Sequence, residues 1–273
     1  MTYLLTSPDD FYVEYKINPW MEPGYDCIGA TEEHKNLQLM LSHVILASPH
    51  ETPTPPDFVF CANHAVVYNG KAILANFRHP QRQAELPFVR NYFTSLAWSG
   101  NIKTYMEFPD RLYFEGAGDC IWDKKRKLFW MGFGQRTEKH SQRTISDLFD
   151  VNVLAFELID PRFYHLDLAL SILYNGEVMY YPKAFSETAL DMIEQLVAPK
   201  DRIILSERDA LAFAANCISF SRSLCLLPYG FSDELSSELF KRNYFVKSVP
   251  VPTFQKAGGA IACMTLNLDA GKN

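Results

Sequence analysis

Residues 65–74, Ala65-Val66-Val67-Tyr68-Asn69-Gly70-Lys71-Ala72-Ile73-Leu74, set Asn-Gly between two β-prone runs. Both turn residues tolerate positive φ, so the segment predicts a two-residue hairpin. The pattern recurs along the chain. Leu170-Ser171-Ile172-Leu173-Tyr174 and Glu177-Val178-Met179-Tyr180-Tyr181 flank Asn175-Gly176. Cys120-Ile121-Trp122 and Leu128-Phe129-Trp130-Met131 flank the basic run Lys124-Lys125-Arg126-Lys127, which reads as a solvated hairpin tip. Cys217 to Phe220 and Leu224 to Leu227 flank Ser221-Arg222-Ser223.

A helix and then a third strand are expected after each hairpin. Ser186 is placed to cap a helix carrying Leu190, Ile193, Leu196 and Val197, followed by the strand Ile203-Ile204-Leu205. Ser232 opens another, with Leu235, Leu239 and Phe240, ahead of Tyr244-Phe245-Val246. Further helices are expected over 81–98, 139–149 and 31–47. The unit strand-strand-helix-strand thus occurs about five times, at a spacing of about 45–55 residues. One copy buries too little apolar surface to stand alone, so the copies must pack around a common axis.

The chain has 273 residues, of which 48% are hydrophobic and 14% aromatic, ample for a large core. There is no Gly/Ser-rich linker, and the proline-rich stretch 49–56 reads as a surface loop. One domain over 1–273 is the economical reading. A net charge of −6 without a basic stripe argues against a nucleic-acid partner. No apolar run is long enough to span a bilayer, and the first ten residues lack the features of a secretory signal. The six cysteines are scattered without a C-x-x-C pair, which fits reduced thiols in a cytoplasmic setting. Cys61 and His64 have local metal-ligand spacing, but no second pair completes a site, so neither metal nor cofactor is expected.

Just ahead of the hairpin strands stand Asn18, Asn63, the segment Glu115 to Asp119, His165 with Asp167, Asn216 and Cys263. In a closed ring of repeats, equivalent positions face one central space. Cysteine, histidine and carboxylates converging there are the makings of a nucleophilic active site.

Four runs carry a resemblance: Tyr15-Lys16-Ile17-Asn18-Pro19-Trp20-Met21, Phe114-Glu115-Gly116-Ala117-Gly118-Asp119, Tyr164-His165-Leu166-Asp167 and Gly258-Gly259-Ala260-Ile261-Ala262-Cys263. In order and over nearly the whole chain, they resemble the guanidine-modifying superfamily. It includes arginine deiminases, dimethylarginine hydrolases, amidinotransferases and arginine dihydrolases. The fold this implies is an α/β five-bladed propeller, the pentein fold. It also implies that Cys263 is the nucleophile and that a small guanidino compound is the substrate.

Beside that resemblance, histidine chemistry makes His165 the general acid and base. Glu115 would orient its imidazole or bind guanidinium nitrogens. Asp167 lies two residues past His165, so in an extended segment the two side chains would share a face, with the carboxylate accepting guanidinium N–H groups. Asp119 is either a further substrate ligand or a turn-forming aspartate. Arg82 and Arg136 are candidates for the substrate's α-carboxylate. Gly258 and Gly259 would let the backbone approach the substrate.

One departure points to a subclass. Where deiminases and dimethylarginine hydrolases generally carry a carboxylate, this sequence has Asn63, within Phe60-Cys61-Ala62-Asn63. An amide accepts from N–H and also donates to C=O, so it suits both a guanidinium and a ureido carbonyl. With Asn18 in the Ile-Asn-Pro position, the pattern resembles arginine dihydrolases, which convert arginine to ornithine, two ammonia and carbon dioxide. A single-round deiminase or dimethylarginine hydrolase, an amidinotransferase, and a non-catalytic arginine-binding module remain as alternatives. Whether the chain forms a homo-oligomer stays open.

Overall fold

Five three-stranded sheets, each built to the same plan, make up the computed structural model, which describes residues 1–47 and 53–272. The loop expected at 49–56 therefore lies partly outside the described residues. The strands are β1 (Thr2–Thr6), β2 (His43–Ala47), β3 (Ala65–Tyr68), β4 (Lys71–Leu74), β5 (Thr104–Glu107), β6 (Cys120–Asp123), β7 (Leu128–Phe133) and β8 (Val153–Glu157). They continue as β9 (Leu170–Ile172), β10 (Val178–Tyr180), β11 (Arg202–Ile204), β12 (Ile218–Ser219), β13 (Leu224–Pro228), β14 (Phe245–Val249) and β15 (Leu266–Asn267). In each sheet the central strand has one antiparallel neighbour, its hairpin partner in four sheets and β15 beside β1 in the fifth. It pairs parallel with the strand that returns after a helix.

The first hairpin is as expected: Asn69 and Gly70 have φ of 51° and 78°. At the second Asn-Gly only Gly176 takes positive φ. There the loop is longer and closed by Leu173 N–H to the Glu177 carbonyl, because Asn175 is drawn to its neighbours, donating to the Tyr244 hydroxyl and the Arg222 carbonyl. Ser186 and Ser232 both cap their helices, accepting from Ala189 and Leu235. Of two expected helices, one is divided and one ends early. The helix expected over 81–98 is Pro80–Gln83 and Leu86–Trp98, because Pro87 has no N–H to carry hydrogen bonding across the join. The helix expected over 31–47 ends at Met40. His43–Ala47 instead pairs residue for residue with Thr2–Thr6.

A second pairing of β1 closes the ring. β15 from the carboxyl end and β1 from the amino end lie side by side, with Tyr3 opposite Asn267 and Leu4 opposite Leu266. Thr2 N–H reaches Asp269 at 2.6 Å, and Leu268 N–H reaches the Thr2 carbonyl at 2.9 Å. The result is a five-bladed α/β propeller whose fifth blade is assembled from both ends of the described chain. Ahead of the first strand in successive blades stand tight helical turns, Cys61–His64, Gly116–Asp119 and Leu166–Ala169, with matching turns at 212–215 and 261–264. These turns meet around the axis and carry the polar residues.

Candidate active site

His165 ends an extended segment (φ −122°, ψ 155°) and is buried. Its Nε2 lies 2.7 Å from Oε2 of Glu115, and its Nδ1 lies 3.4 Å from Nδ2 of Asn63. Oδ1 of Asn63 accepts from Arg82 at 2.8 Å. The amide nitrogen is therefore the donor toward Nδ1, and Nε2 carries the ring proton. Glu115 also accepts from Arg136 at 3.0 Å and from the Arg78 backbone N–H at 3.2 Å. Arg82 grips Glu85 with two bonds, at 2.6 and 2.8 Å, and Glu85 takes Nε2 of His64 at 2.8 Å. One buried polar chain thus runs from His64 through Glu85, Arg82, Asn63, His165 and Glu115 to Arg136.

Burial drives the His165 imidazole down to about 4, with Arg136 and Arg82 adding to the effect and Glu115 opposing it. Burial alone would lift the Glu115 carboxyl, but Arg136, His165 and Arg82 outweigh it and hold the group well below the usual carboxylate range. The pair therefore rests as a neutral imidazole against a carboxylate.

Cys263 sits in the turn at 261–264 and is 2% exposed. Its thiol donates to Oδ2 of Asp167 at 3.3 Å. Nδ2 of Asn216 donates to the sulfur at 3.1 Å, while Oδ1 of Asn216 accepts the N–H groups of Ala262 and Cys263 at 3.0 and 3.2 Å. Burial and then the Asp167 charge push the thiol well above its usual range. Burial lifts the Asp167 carboxyl to about 7, against the hydrogen bonds from Cys263 and Asn216. The sulfur rests protonated, and a cation in front of it would favour the thiolate.

The structure brings His165, Glu115, Asn63, Arg82 and Arg136 into one chain, and Cys263 and Asp167 into an adjoining cluster. Among the described residues no hydrogen bond joins Cys263 to His165, and the clusters are linked by the two-residue step from His165 to Asp167. That step is not extended. Asp167 lies in the turn Leu166–Ala169, so it faces Cys263 while His165 faces Glu115, and the two side chains do not share a strand face. Asp119 holds the Leu166 N–H at 3.0 Å through Oδ1, fixing the residue after His165, and its Oδ2 has no partner. Asn18 bonds to backbone, donating to the Ala257 carbonyl and accepting from Trp20 and Met21. Both arginines have internal carboxylate partners, Glu85 and Glu115. The glycine pair serves packing: a Cβ on Gly258 would meet Asn18 at 2.6 Å, and one on Gly259 would meet the Phe60 ring at 2.4 Å.

Three participants were not singled out as site residues. Asn216 had its signal in the pre-hairpin position. Glu85 had none, since a lone glutamate before a helix reads as solvated. Asp57, buried and bonded to the Tyr15 hydroxyl at 3.0 Å, is lifted by burial to about 6 against the nearby Arg82. His64 and Cys61 do not form a metal pair: the imidazole joins Tyr92 and Glu85, and the thiol meets the carbonyls of Leu4 and Met264. Among the described residues, no helix is long and apolar enough to cross a membrane.

Residues 29–269 match the family model described as N,N dimethylarginine dimethylhydrolase, eukaryotic. The chain belongs to this family. Beside that membership in the dimethylarginine dimethylhydrolase family, the chain is 31% identical to the N(G),N(G)-dimethylarginine dimethylaminohydrolase of Mycobacterium tuberculosis, over 97% of this chain and 85% of that protein. It is 37% identical to the bifunctional arginine dihydrolase/ornithine cyclodeaminase AgrE of Nostoc sp., over 97% of this chain. The match spans only 37% of the length of AgrE. Among solved structures, it superimposes on the N-terminal domain of ArgZ, a cyanobacterial arginine dihydrolase captured with substrate as a serine-for-cysteine mutant. The TM-score is 0.91 and the identity 34%, covering 98% of this chain and 97% of that one.

Proposed function

We propose that this chain, as one catalytic domain, is a cysteine-dependent arginine dihydrolase. The observation that carries this is the amide of Asn63, held by Arg82 on one side and facing the His165 imidazole on the other, beside the Cys263 thiol cluster. The likeness to AgrE and to the ArgZ domain supports the same substrate.

In this mechanism a guanidinium enters beside Asp167 and Glu115, whose carboxylates accept its N–H groups. Its positive charge stabilises the Cys263 thiolate, which attacks the guanidinium carbon. Asn216 donates to the sulfur and fixes its turn. His165, oriented by Glu115, passes a proton to the departing ammonia and then accepts one from the attacking water. Thiolate leaves to give a ureido product. In a second round that product loses its remaining nitrogen as ammonia and its carbon as carbon dioxide, leaving ornithine; two waters are consumed in all. Asn63 serves both rounds because its amide neither repels the ureido oxygen nor forgoes the guanidinium. Asn18, Asp119, Arg82 and Arg136 frame the binding site in this proposal. The chemistry calls on thiolate and imidazole alone.

The deciding experiment incubates pure protein with arginine and follows products by mass spectrometry. Two ammonia released per ornithine is expected. Citrulline accumulating with one ammonia would reject the two-round reaction in favour of single-round hydrolysis. For that outcome methylated arginines are the substrates to test next, given the family description.

A further inference from the structure

A cavity of about 600 Å³ lies on the propeller axis, walled by the first strand of each blade. At one end it meets a collar of five residues, one from each pre-strand turn: Ala62, Ala117, Asp167, Ala215 and Ala262. Three of the collar residues are followed directly in sequence by a member of the catalytic cluster, namely Asn63, Asn216 and Cys263. Sequence neighbours therefore serve the cavity lining and the cluster around the sulfur. Four collar members offer only a methyl group. The fifth, Asp167, touches both sides: Oδ2 accepts from the Cys263 thiol, while Oδ1 is buried without a partner in a residue that lines the cavity. An unpaired buried carboxylate oxygen is costly unless something visits it.

Traffic explains the arrangement. Cys263, His165, Glu115 and Asp167 are each less than 10% exposed. On the proposed function, an amino acid occupies the reacting side through two rounds while two waters arrive and two ammonia leave. We propose that the axial cavity is the passage by which water reaches the Cys263 sulfur, with Asp167 as its gate. A methyl-walled collar admits molecules of that size and holds back the amino acid. The carboxylate of Asp167 is the one polar side chain of the collar, accepting an O–H in transit when it is not holding a guanidinium N–H. This inference rests on the proposed dihydrolase activity, and its test separates the two.

The test narrows the passage from the cavity side, with Ala117→Leu at the collar and Ser171→Leu in the wall formed by β9. Wild-type protein is first assayed on arginine; if it releases no ammonia, the activity is wrong and the passage falls with it. With activity in hand, acid-quenched samples are weighed intact to measure the fraction of chain carrying the covalent adduct. Each variant is expected to form the adduct at the wild-type rate and to hydrolyse it about tenfold more slowly, so that adduct accumulates and kcat falls while KM does not rise. Ser171→Thr adds a single methyl, gives the same effect in smaller measure, and keeps the test valid should a larger side chain disturb folding. Wild-type turnover and adduct fraction in the folded variants would overturn the passage. So would equal slowing of adduct formation and hydrolysis.

Discussion

The Cys263 thiol donates to Oδ2 of Asp167 across 3.3 Å, and this contact keeps the sulfur in its unreactive form until a cation arrives. Both groups are buried, so the proton they share is sensitive to any charge placed beside them. Asp167→Asn removes the anion that helps hold the thiol up. Alkylation of Cys263 by iodoacetamide should then shift its pH midpoint downward by about one unit. KM for arginine should rise at least about tenfold as the guanidinium loses a carboxylate. An unchanged alkylation profile would contradict the assigned pairing.

Cys263→Ser keeps the shape of the turn and removes the proposed nucleophile. Ammonia release from arginine is expected to fall by about 10³-fold or more, with no covalent adduct in the intact mass. Activity within tenfold of wild type would mean that another group attacks.

Asn63→Asp sets a carboxylate against Nδ1 of His165 in place of an amide donor. The imidazole, now held down to about 4 chiefly by burial, should rise because the new anion favours its protonated form. The acid limb of the pH–rate profile should move up by about one unit or more, and turnover of the ureido intermediate should drop more than turnover of arginine. An unmoved acid limb would remove Asn63 from the chain.

His165 also makes stability depend on pH. Its folded value lies below the ordinary 6.5, so below that pH the unfolded chain binds a proton that the folded chain refuses. Stability from this residue is intact above about 6.5 and is lost as pH falls toward about 4. Asp167 and Asp57, both raised, act in the opposite sense, so the comparison must be with His165→Gln. Urea midpoints at pH 7 and pH 5 should show wild type losing more than the variant.

The buried Arg82–Glu85 pair and the exposed Arg90–Glu107 pair allow a matched comparison. Glu85→Gln strips the counter-charge from a buried guanidinium and should cost about 3 kcal/mol or more. Glu107→Gln removes a solvated partner and should cost under about 1 kcal/mol. Equal losses in denaturant titrations would mean that Arg82 finds a substitute partner.

What could be read from the sequence was what short-range chemistry governs. Asn69-Gly70 turns because those two residues accept the dihedrals, and Ser186 and Ser232 cap because a hydroxyl reaches the third amide beyond. The polar residues ahead of each hairpin stood out because the repeat puts equivalents at equivalent depth. Contacts across the ring could not be read in that way. Nothing near Thr2 announces Asp269, and nothing near Arg82 announces that Asn63 and Glu85 share it. The spacing of His165 and Asp167 is equally compatible with a strand and with a turn. Only the neighbouring blades, pressing the segment into a turn, choose between them.

The strand at Leu266–Asn267 lies three residues beyond Cys263 and is also the partner that β1 needs. A polypeptide cut short before residue 263 would be missing its latch and its sulfur together. Truncated or stalled products would thus carry neither a finished ring nor the Cys263 sulfur, only the five thiols that lie earlier in the chain.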